Sequence, residues 1–492
     1  MIARVVRQRI AARTARQLSI AAHLAAHPAS TPTSAEQITI NGWVRSCRKQ
    51  KNISFAVIND GSNVQGVQAV VPKGMDTGIT IGSAVTMTGK LVDSPGKGQD
   101  KEFQAEWVEI VGESDAETYP IPNTKQGIPA TVLRRNAHLR PRASAAAAML
   151  RARSEMAWAA NNHLRSEGLI NVQTPLITSS DCEGAGEVFR VEAGATPPPP
   201  TSPTSITSAT PSTPSLPPPP PRYLTVSSQL HLEALASSLS SVYTLSPSFR
   251  AENSDTARHL QEFWMLEAEI SFLPESQEEG LEAVMSLAER LVKSIAASHD
   301  ASPHSAYFYG LHPELEPQIK ATASPDSPFP RITYAKAIEI LAAHSLANPT
   351  FFTFKPSLGH SIQTEHEKWL ADEHFESPLF VTNYPASQKP WYMLPDSNAG
   401  KTVACFDLLV PRLGELIGGS LREHREKELR AKMKEHGVKA AEYEWYLDLR
   451  KYGTTRHGGF GMGWERLVAY LTGIDNVREC IAFPRAAEGS RF

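Results

Sequence analysis

A chain of 492 residues, 41% hydrophobic and 8% aromatic, is too long for one core and predicts two or three globular domains. A formal net charge of -3 excludes a general basic coat, so any nucleic-acid partner must be held by local patches. Cys47, Cys182, Cys405 and Cys480 lie far apart without a CxxC pair, which argues against a disulfide framework and a structural zinc. No apolar run approaches the roughly 20 residues of a membrane-spanning helix.

The opening stretch MIARVVRQRIAARTARQLSIAAHLAAH carries Arg4, Arg7, Arg9, Arg13 and Arg16, with no acid before Glu36. That is the composition of a basic amphipathic import presequence, so residues 1–35 are assigned to mitochondrial targeting and the chain to the matrix. A basic arm that touches RNA is the alternative. From Ile38 to about Glu113, short alternating runs predict five strands and a small OB-type barrel over residues 36–118, a fold that often serves single-stranded nucleic acid. Arg45, Arg48, Lys49 and Lys51 stand just before Phe55, which could stack on a base, although taken alone it reads first as a core side chain.

Residues 119–142 read as a linker, and a long helix ending near Gly168 opens a second domain over 143–492. Within it, residues 195–221 are a Pro/Ser/Thr tract too poor in apolar residues to build a core. Helices are expected over Glu278–His299, Tyr334–Leu346 and Arg422–Gly437.

Four stretches carry chemistry. In LSPSFRAENSDTARHLQEFWMLEAEI, period two places Arg250 and Glu252 on one strand face, and Phe263, Met265, Glu267 and Glu269 on the returning strand's matching face. A fixed cation, an aromatic and acids on one side of a hairpin suit a nucleotide and an ammonium group. HGGFGMGWERLVAYL runs a glycine-rich strand into a helix, with Arg466 in the first turn able to meet an anion; it fits neither phosphate-loop pattern. CFDLLVPRLGELIGGSLRE offers Asp407 and Glu415, oxygen donors suited to magnesium. TPLITSSDCEGAGEVF presents Glu183 in a glycine-containing loop that could close over a bound group.

In this order the four stretches resemble the class II aminoacyl-tRNA synthetases of the aspartate, asparagine and lysine subgroup. NVQTPLIT resembles motif 1, FRAENSDTARHLQEF motif 2 and GFGMGWERL motif 3. The resemblance implies an α+β fold: an N-terminal OB-fold β-barrel that binds the anticodon, then a catalytic domain built on an antiparallel sheet flanked by helices. It implies catalytic roles for Arg250, Glu252 and Arg466, and an ATP site of Arg250, His259, Phe263, Glu415, Gly463 and Arg466. Asp407 and Glu415 would hold Mg2+, the loop between Asn253 and Arg258 would meet the tRNA acceptor end, and Pro175 would lie in a homodimer interface. Arg45, Phe55 and Gln68 would contact the anticodon.

Within the subgroup, DCEGAGEVF and VSSQLHLEAL resemble asparaginyl enzymes, with Glu183, Ser227, Gln229, Glu233, Glu267 and Arg422 as the amino-acid site. Leu232 stands where aspartyl enzymes carry a lysine, and Glu233 follows it; losing a cation and gaining an acid suits an amide better than a carboxylate. The implied partners are asparagine, ATP and tRNA(Asn). An aspartyl or non-discriminating enzyme is the near alternative, and a synthetase-like RNA-binding protein without catalysis the remote one.

Overall fold

Alternation of buried and exposed side chains along five strands closes the first domain on itself. Strands β1 (Ile38–Lys49), β2 (Ile53–Asn59), β3 (Val67–Pro72), β4 (Ala84–Asp93) and β5 (Lys101–Gly112) form a closed barrel in the order β1-β2-β3-β5-β4. Ile40, Val44, Ala56, Ile58, Ala69, Val71, Met87 and Phe103 fill it, all nearly inaccessible to solvent. The computed structural model describes residues 18–28, 36–96, 99–121, 127–179, 188–192, 221–252, 256–397 and 401–486.

The barrel begins earlier than residue 36. A helix over Ile20–Ala26 is capped by the Ser19 side chain, and Ile20 is buried with the barrel core. The free N–H groups of its first turn donate to the barrel, Ile20 to Asp60 Oδ2 at 2.8 Å and Ala21 to Ser62 Oγ at 2.9 Å. Ser19–Ala26 therefore belong to the barrel unit, and a targeting segment reaching residue 35 would cut into it. The five arginines before Leu18 lie outside the described residues.

The expected linker is likewise part of a folded unit over its second half. Residues Ala130–Arg135 are helical and Arg140–Arg142 form a 3-10 turn. Arg134 bonds Glu479 at 2.7 Å, and Arg140, 1% exposed, donates to Glu479, to the Arg478 carbonyl and to the Ile481 carbonyl. These ties fix residues 130–142 to the C-terminal part of the second domain.

That domain is organised by an eight-stranded sheet. Its strands are β6 (Ile170–Asn171), β10 (Ser241–Phe249), β11 (Glu262–Ser271), β12 (Arg331–Thr333), β13 (Leu379–Thr382), β14 (Cys405–Val410), β15 (Gly414–Leu421) and β16 (His457–Gly463), in the order β12-β13-β14-β15-β16-β11-β10-β6. Its central pairings are antiparallel as expected, but β12 with β13 and β6 with β10 run parallel, so the sheet is mixed. A small sheet of β7 (Ile177–Thr178), β8 (Arg190–Val191) and β9 (Arg222–Leu224) stands beside it. The Pro/Ser/Thr tract between β8 and β9 lies, up to residue 220, outside the described residues.

Helices Ser144–Ser166 and Gln277–Ala301 pack together, and their apolar residues, among them Met149, Met156, Val284, Leu291 and Ile295, share one core with Leu266, Phe406, Leu408, Ile417, Phe460 and Met462 from the strands. Helices cover that face of the sheet; on the other, Leu379, Val381, Cys405 and Leu409 of β13 and β14 build a second apolar core with helices that include Tyr334–Ala347 and Glu426–Glu435, and β10, β11 and β15 carry the polar groups. The expected helix from Arg422 begins only at Glu426 and ends at Glu435. Arg422 instead follows β15 in a bridge to Met393, because its side chain is drawn to Glu269. Among the described residues, no helix is long and apolar enough to cross a membrane.

Candidate active site

The β10–β11 hairpin pairs Thr244 with Glu267, Ser246 with Met265 and Ser248 with Phe263, so the face deduced from period two is a real surface. Two adjoining cavities open on it. One, of about 200 Å³, is lined by Ser227, Gln229, Glu267, Glu269, Lys389 and Arg422, with other residues. The other, of about 170 Å³, is lined by Glu252, Arg258, His259, Phe263, Gly463 and Arg466, with others. Arg250, Met265, Glu415 and Gly461 line both, so the two form one continuous cleft.

The second cavity is built to take an aromatic ring and negative charge. The Arg250 guanidinium lies 5.4 Å from the centre of the Phe263 ring. Arg466, in the first turn of helix Trp464–Thr472, donates to the Glu415 carbonyl at 3.0 Å and stands 3.6 Å from its carboxylate. Gly463 gives it room, since a Cβ there would sit 3.3 Å from Arg466 Cδ. His259 lies 3.5 Å from Glu252 and bonds Thr256 at 2.7 Å. Arg258 was not singled out from the sequence; it bonds Thr364 and approaches Glu367 at 3.9 Å, adding a third arginine to this cavity. Residues 253–255 of the same loop lie outside the described residues.

Asp407 on β14 is paired with Gly418 on β15, and a Cβ at Gly418 would lie 3.4 Å from Glu415 Oε1 and 3.7 Å from Asp407 Oδ1. The two acids thus converge over an open backbone position, a donor set of hard oxygens that fits a divalent cation. Lys389 Nζ stands 2.9 Å from both Asp407 oxygens. Burial raises the Asp407 carboxyl, against the field of Lys389; burial would also raise Glu415, but Arg466, Lys389, Arg250 and Arg258 hold it below its ordinary value. Glu367, pushed up to about 7 by burial and by Glu415, adds a third acid nearby.

The first cavity has an acid at each end. Glu267, 3% exposed, accepts from Ser227 Oγ at 2.5 Å and from the Ser228 N–H at 2.8 Å, leaving a carboxylate facing the cavity. At the other end, Arg422 meets Glu269 through Nη2 at 3.0 Å and through Nε at 3.3 Å, while Nη1 donates to Ser420 Oγ at 2.8 Å. Glu269, which the sequence places only on the polar face, is the acid that lines the cavity beside Arg422.

Glu233 does not line the cavity, which corrects its expected role as a direct ligand. Helix Gln229–Leu239 points it inward, where Tyr446 donates at 2.6 Å and Arg450 at 2.7 Å, His457 Nε2 lies at 3.1 Å, and Gln229 donates to the other oxygen at 3.0 Å. Burial alone would raise its pKa, but Arg450, His457 and Arg422 together hold it well below the carboxylate range. Its carboxylate, with those of Glu269 and the His457 ring, could geometrically hold an ion, but Arg422 and Arg450 already engage both acids. Glu183 lies outside the described residues.

The glycine-rich strand serves side chains as much as ligand. A Cβ at Gly459 would lie 2.1 Å from Glu269 Oε2, and one at Gly461 would lie 2.7 Å from Met265 Cε in the cavity wall. Sequence alone suggested close ligand approach; the neighbouring acid needs the same room.

On the barrel, Phe55 is half-buried, outside the core, and pairs across strands with Arg48, whose guanidinium lies 5.4 Å from its ring centre. Gln68 opposes Val57, two residues along on the same face. Arg45 does not join them. It falls where the β1–β2 register slips between Val44 and Ser46, and it is partly desolvated near Tyr119, Arg142 and Arg151 at the seam with the second domain. Among the basic residues of β1, it is Arg48 that lies over Phe55. Pro175 is exposed, followed by Leu176 and Ile177 at 37% and 52% exposure.

Residues 130–487 match the family of tRNA synthetases class II (D, K and N), and residues 38–111 match the OB-fold nucleic acid binding domain. An asparagine-tRNA ligase of Oleidesulfovibrio alaskensis is 42% identical over 476 residues, covering 94% of this chain and 98% of the relative. An asparaginyl-tRNA synthetase of Mus musculus is 40% identical over 459 residues, covering 92% and 90%. The crystal structure of asparaginyl-tRNA synthetase from Pyrococcus horikoshii complexed with asparaginyl-adenylate superposes with a TM-score of 0.78 at 30% identity, covering 92% of this chain and 95% of that one. With its cleft, its barrel and its sequence all in agreement, the chain belongs to the class II tRNA synthetases of the aspartate, lysine and asparagine group.

Proposed function

We infer that this chain is an asparagine-tRNA ligase, which activates asparagine with ATP to asparaginyl-adenylate and transfers it to the 3' end of tRNA(Asn). The observation that carries the choice of amino acid is the cavity end made by Glu269 and Arg422, where one group accepts and the other donates. An amide satisfies both: its NH2 faces Glu269 and its carbonyl accepts from Arg422. A carboxylate would meet Glu269 as a like charge and find Arg422 already paired.

The mechanism is one of positioning. Glu267 holds the substrate ammonium group, which places the substrate carboxylate toward Arg250. That carboxylate is already a nucleophile and needs no general base to attack the α-phosphate, whose bond to the β-phosphate oxygen breaks as pyrophosphate leaves. Arg250 neutralises charge at the α-phosphate, Phe263 supports the adenine, and Arg466, Arg258 and His259 line the end that takes the outer phosphates. Magnesium fits the donors Asp407 and Glu415 and, when bound, supplies charge neutralisation to the phosphates. In the second step the ribose hydroxyl of the terminal adenosine takes the asparaginyl group and AMP leaves.

A homodimer is supported by exposed apolar side chains on the segment that resembles motif 1 and on the elements just before it, namely Ile177 at 52%, Ile170 at 46% and Trp158 at 68% exposure; sedimentation at twice the chain mass is expected. Residency in the mitochondrial matrix rests on the arginines before Leu18, upstream of the helix that the barrel retains. A reporter fused to residues 1–17 is expected to enter isolated mitochondria, and one that stays outside would remove the assignment.

ATP–pyrophosphate exchange tests the chemistry and the amino acid together. Asparagine is expected to support exchange far better than aspartate, and dominance of aspartate would overturn the reading of Glu269 and Arg422. Arg250→Ala should lower exchange by about 10²–10³-fold or more, as removal of a charge-stabilising group does, while filter binding of tRNA is retained. For the barrel, Arg48→Ala should weaken tRNA binding by about 1–3 kcal/mol, the scale of losing a stacked contact, whereas Arg45→Ala should leave the anticodon contribution unchanged. Equal losses in the two variants would refute the placement of Arg45 at the seam.

A further inference from the structure

Very little chain separates the arginines of the leader from the start of the barrel unit. Arg16 is the last of them, and no lysine or arginine follows before Arg45. At Ser19 the backbone becomes tied to the fold: its hydroxyl accepts from the Ala22 N–H at 3.2 Å and its carbonyl from the His23 N–H at 2.9 Å. Ile20, 2% exposed, sits in the barrel core, and the N–H groups of Ile20 and Ala21 are given to Asp60 and Ser62. Leu18, by contrast, is 56% exposed. The Leu18–Ser19 bond is thus the last peptide bond before backbone that the barrel holds.

We propose that the leader is removed at the Leu18–Ser19 bond, by an endopeptidase of the matrix that anchors on Arg16. This rests on the residency in the matrix inferred above. A peptidase that takes its substrate as an extended strand needs backbone N–H and C=O groups that the fold has not used. A cut beyond Ser19 would first have to draw Ile20 from the core and undo the bonds to Asp60 and Ser62. A cut one or two bonds earlier would leave the exposed Leu18 as an apolar stub. At the chosen bond, the arginine stands three residues upstream, and the helix cap stays on the product. Water adds across the amide: the C–N bond breaks, the carbonyl carbon takes the water oxygen and ends as the Leu18 carboxylate, and the nitrogen takes the protons and ends as the Ser19 ammonium group. A positive terminus at the start of a helix is unfavourable by itself. Here it forms one residue from the Ile20 N–H, which lies 2.8 Å from Asp60 Oδ2, so a carboxylate is at hand to balance it.

The test is import of the labelled full-length chain into isolated mitochondria, followed by external protease and N-terminal mass spectrometry of the protected product. The product is expected to begin at Ser19, having lost five arginines and no acid, and so to focus at a more acidic position than its precursor. Arg16→Ala should slow processing on the order of tenfold, the worth of one charge-assisted hydrogen bond, while the four arginines that remain still carry the chain inside. A protected product that begins anywhere other than Ser19, or that keeps its leader, overturns the proposal. So does an Arg16→Ala chain processed at an unchanged rate, since that is the mark of trimming down to the fold rather than of a cut directed by arginine. A chain that never becomes protected would instead overturn residency in the matrix, the reading on which the cut rests, so the two failures are distinguishable.

Discussion

A guanidinium buried under the substrate cavity constrains everything around it. Arg422 is 4% exposed, and such a group persists only if its donors are met inside the protein. Glu269 on β11 meets it with both oxygens and Ser420 with its hydroxyl, which fixes how the ends of β11 and β15 lie against each other across β16. The Glu269 carboxylate in turn occupies the space that a side chain on residue 459 would fill. A glycine on one strand, an acid on the next and an arginine just after a third are therefore one requirement, although they are far apart in sequence.

The nucleotide half of the cleft obeys the same rule with alternating charges. Asp407 is answered by Lys389 and Glu415 by Arg466, while Glu367 faces Arg258. Burial raises Asp407 and Glu367, and the cations around Glu415 depress it, so three neighbouring carboxylates have different proton affinities although they are only a few residues' width apart. Cations drawn from the hairpin, the motif 3 helix and the loop before β14 balance this acidic group, and three of them, Arg250, Arg258 and Arg466, line the second cavity together.

The polar face of the hairpin was legible because period two is a local property: Phe263, Met265, Glu267 and Glu269 had to share a side once β11 was a strand. The barrel was legible for the same reason, five alternating runs at short spacing. What escaped was set by contacts between distant segments. Glu233 sits one residue from a cavity-lining Leu232 on a helix, and that step of about 100° turns it from the cavity toward Arg450. Arg45 falls at a register slip that no run of residues announces, and it sits near Tyr119, Arg142 and Arg151. Arg140 looked like one basic residue in a linker, yet its partners lie more than three hundred residues onward, at Glu479 and Ile481. Ser19–Ala26 resembles the rest of a basic leader, yet the Asp60 and Ser62 acceptors and the burial of Ile20 in the barrel core join it to the barrel.

The distinction between an amide and an acid comes down to which cations remain uncommitted. The cavity is lined by Arg250, Lys389 and Arg422. Lys389 is held by Asp407 and Arg422 by Glu269, while Arg250 stands at the junction of the two cavities. Leu232, 1% exposed, contributes an apolar surface where a lysine would have offered another cation. A substrate carboxylate at that end would therefore be desolvated without a counter-ion, whereas an amide exchanges its water contacts for one acceptor and one donor. Selectivity of this kind needs no steric exclusion, since asparagine and aspartate differ little in shape; it needs a site whose charges are already balanced before the substrate arrives.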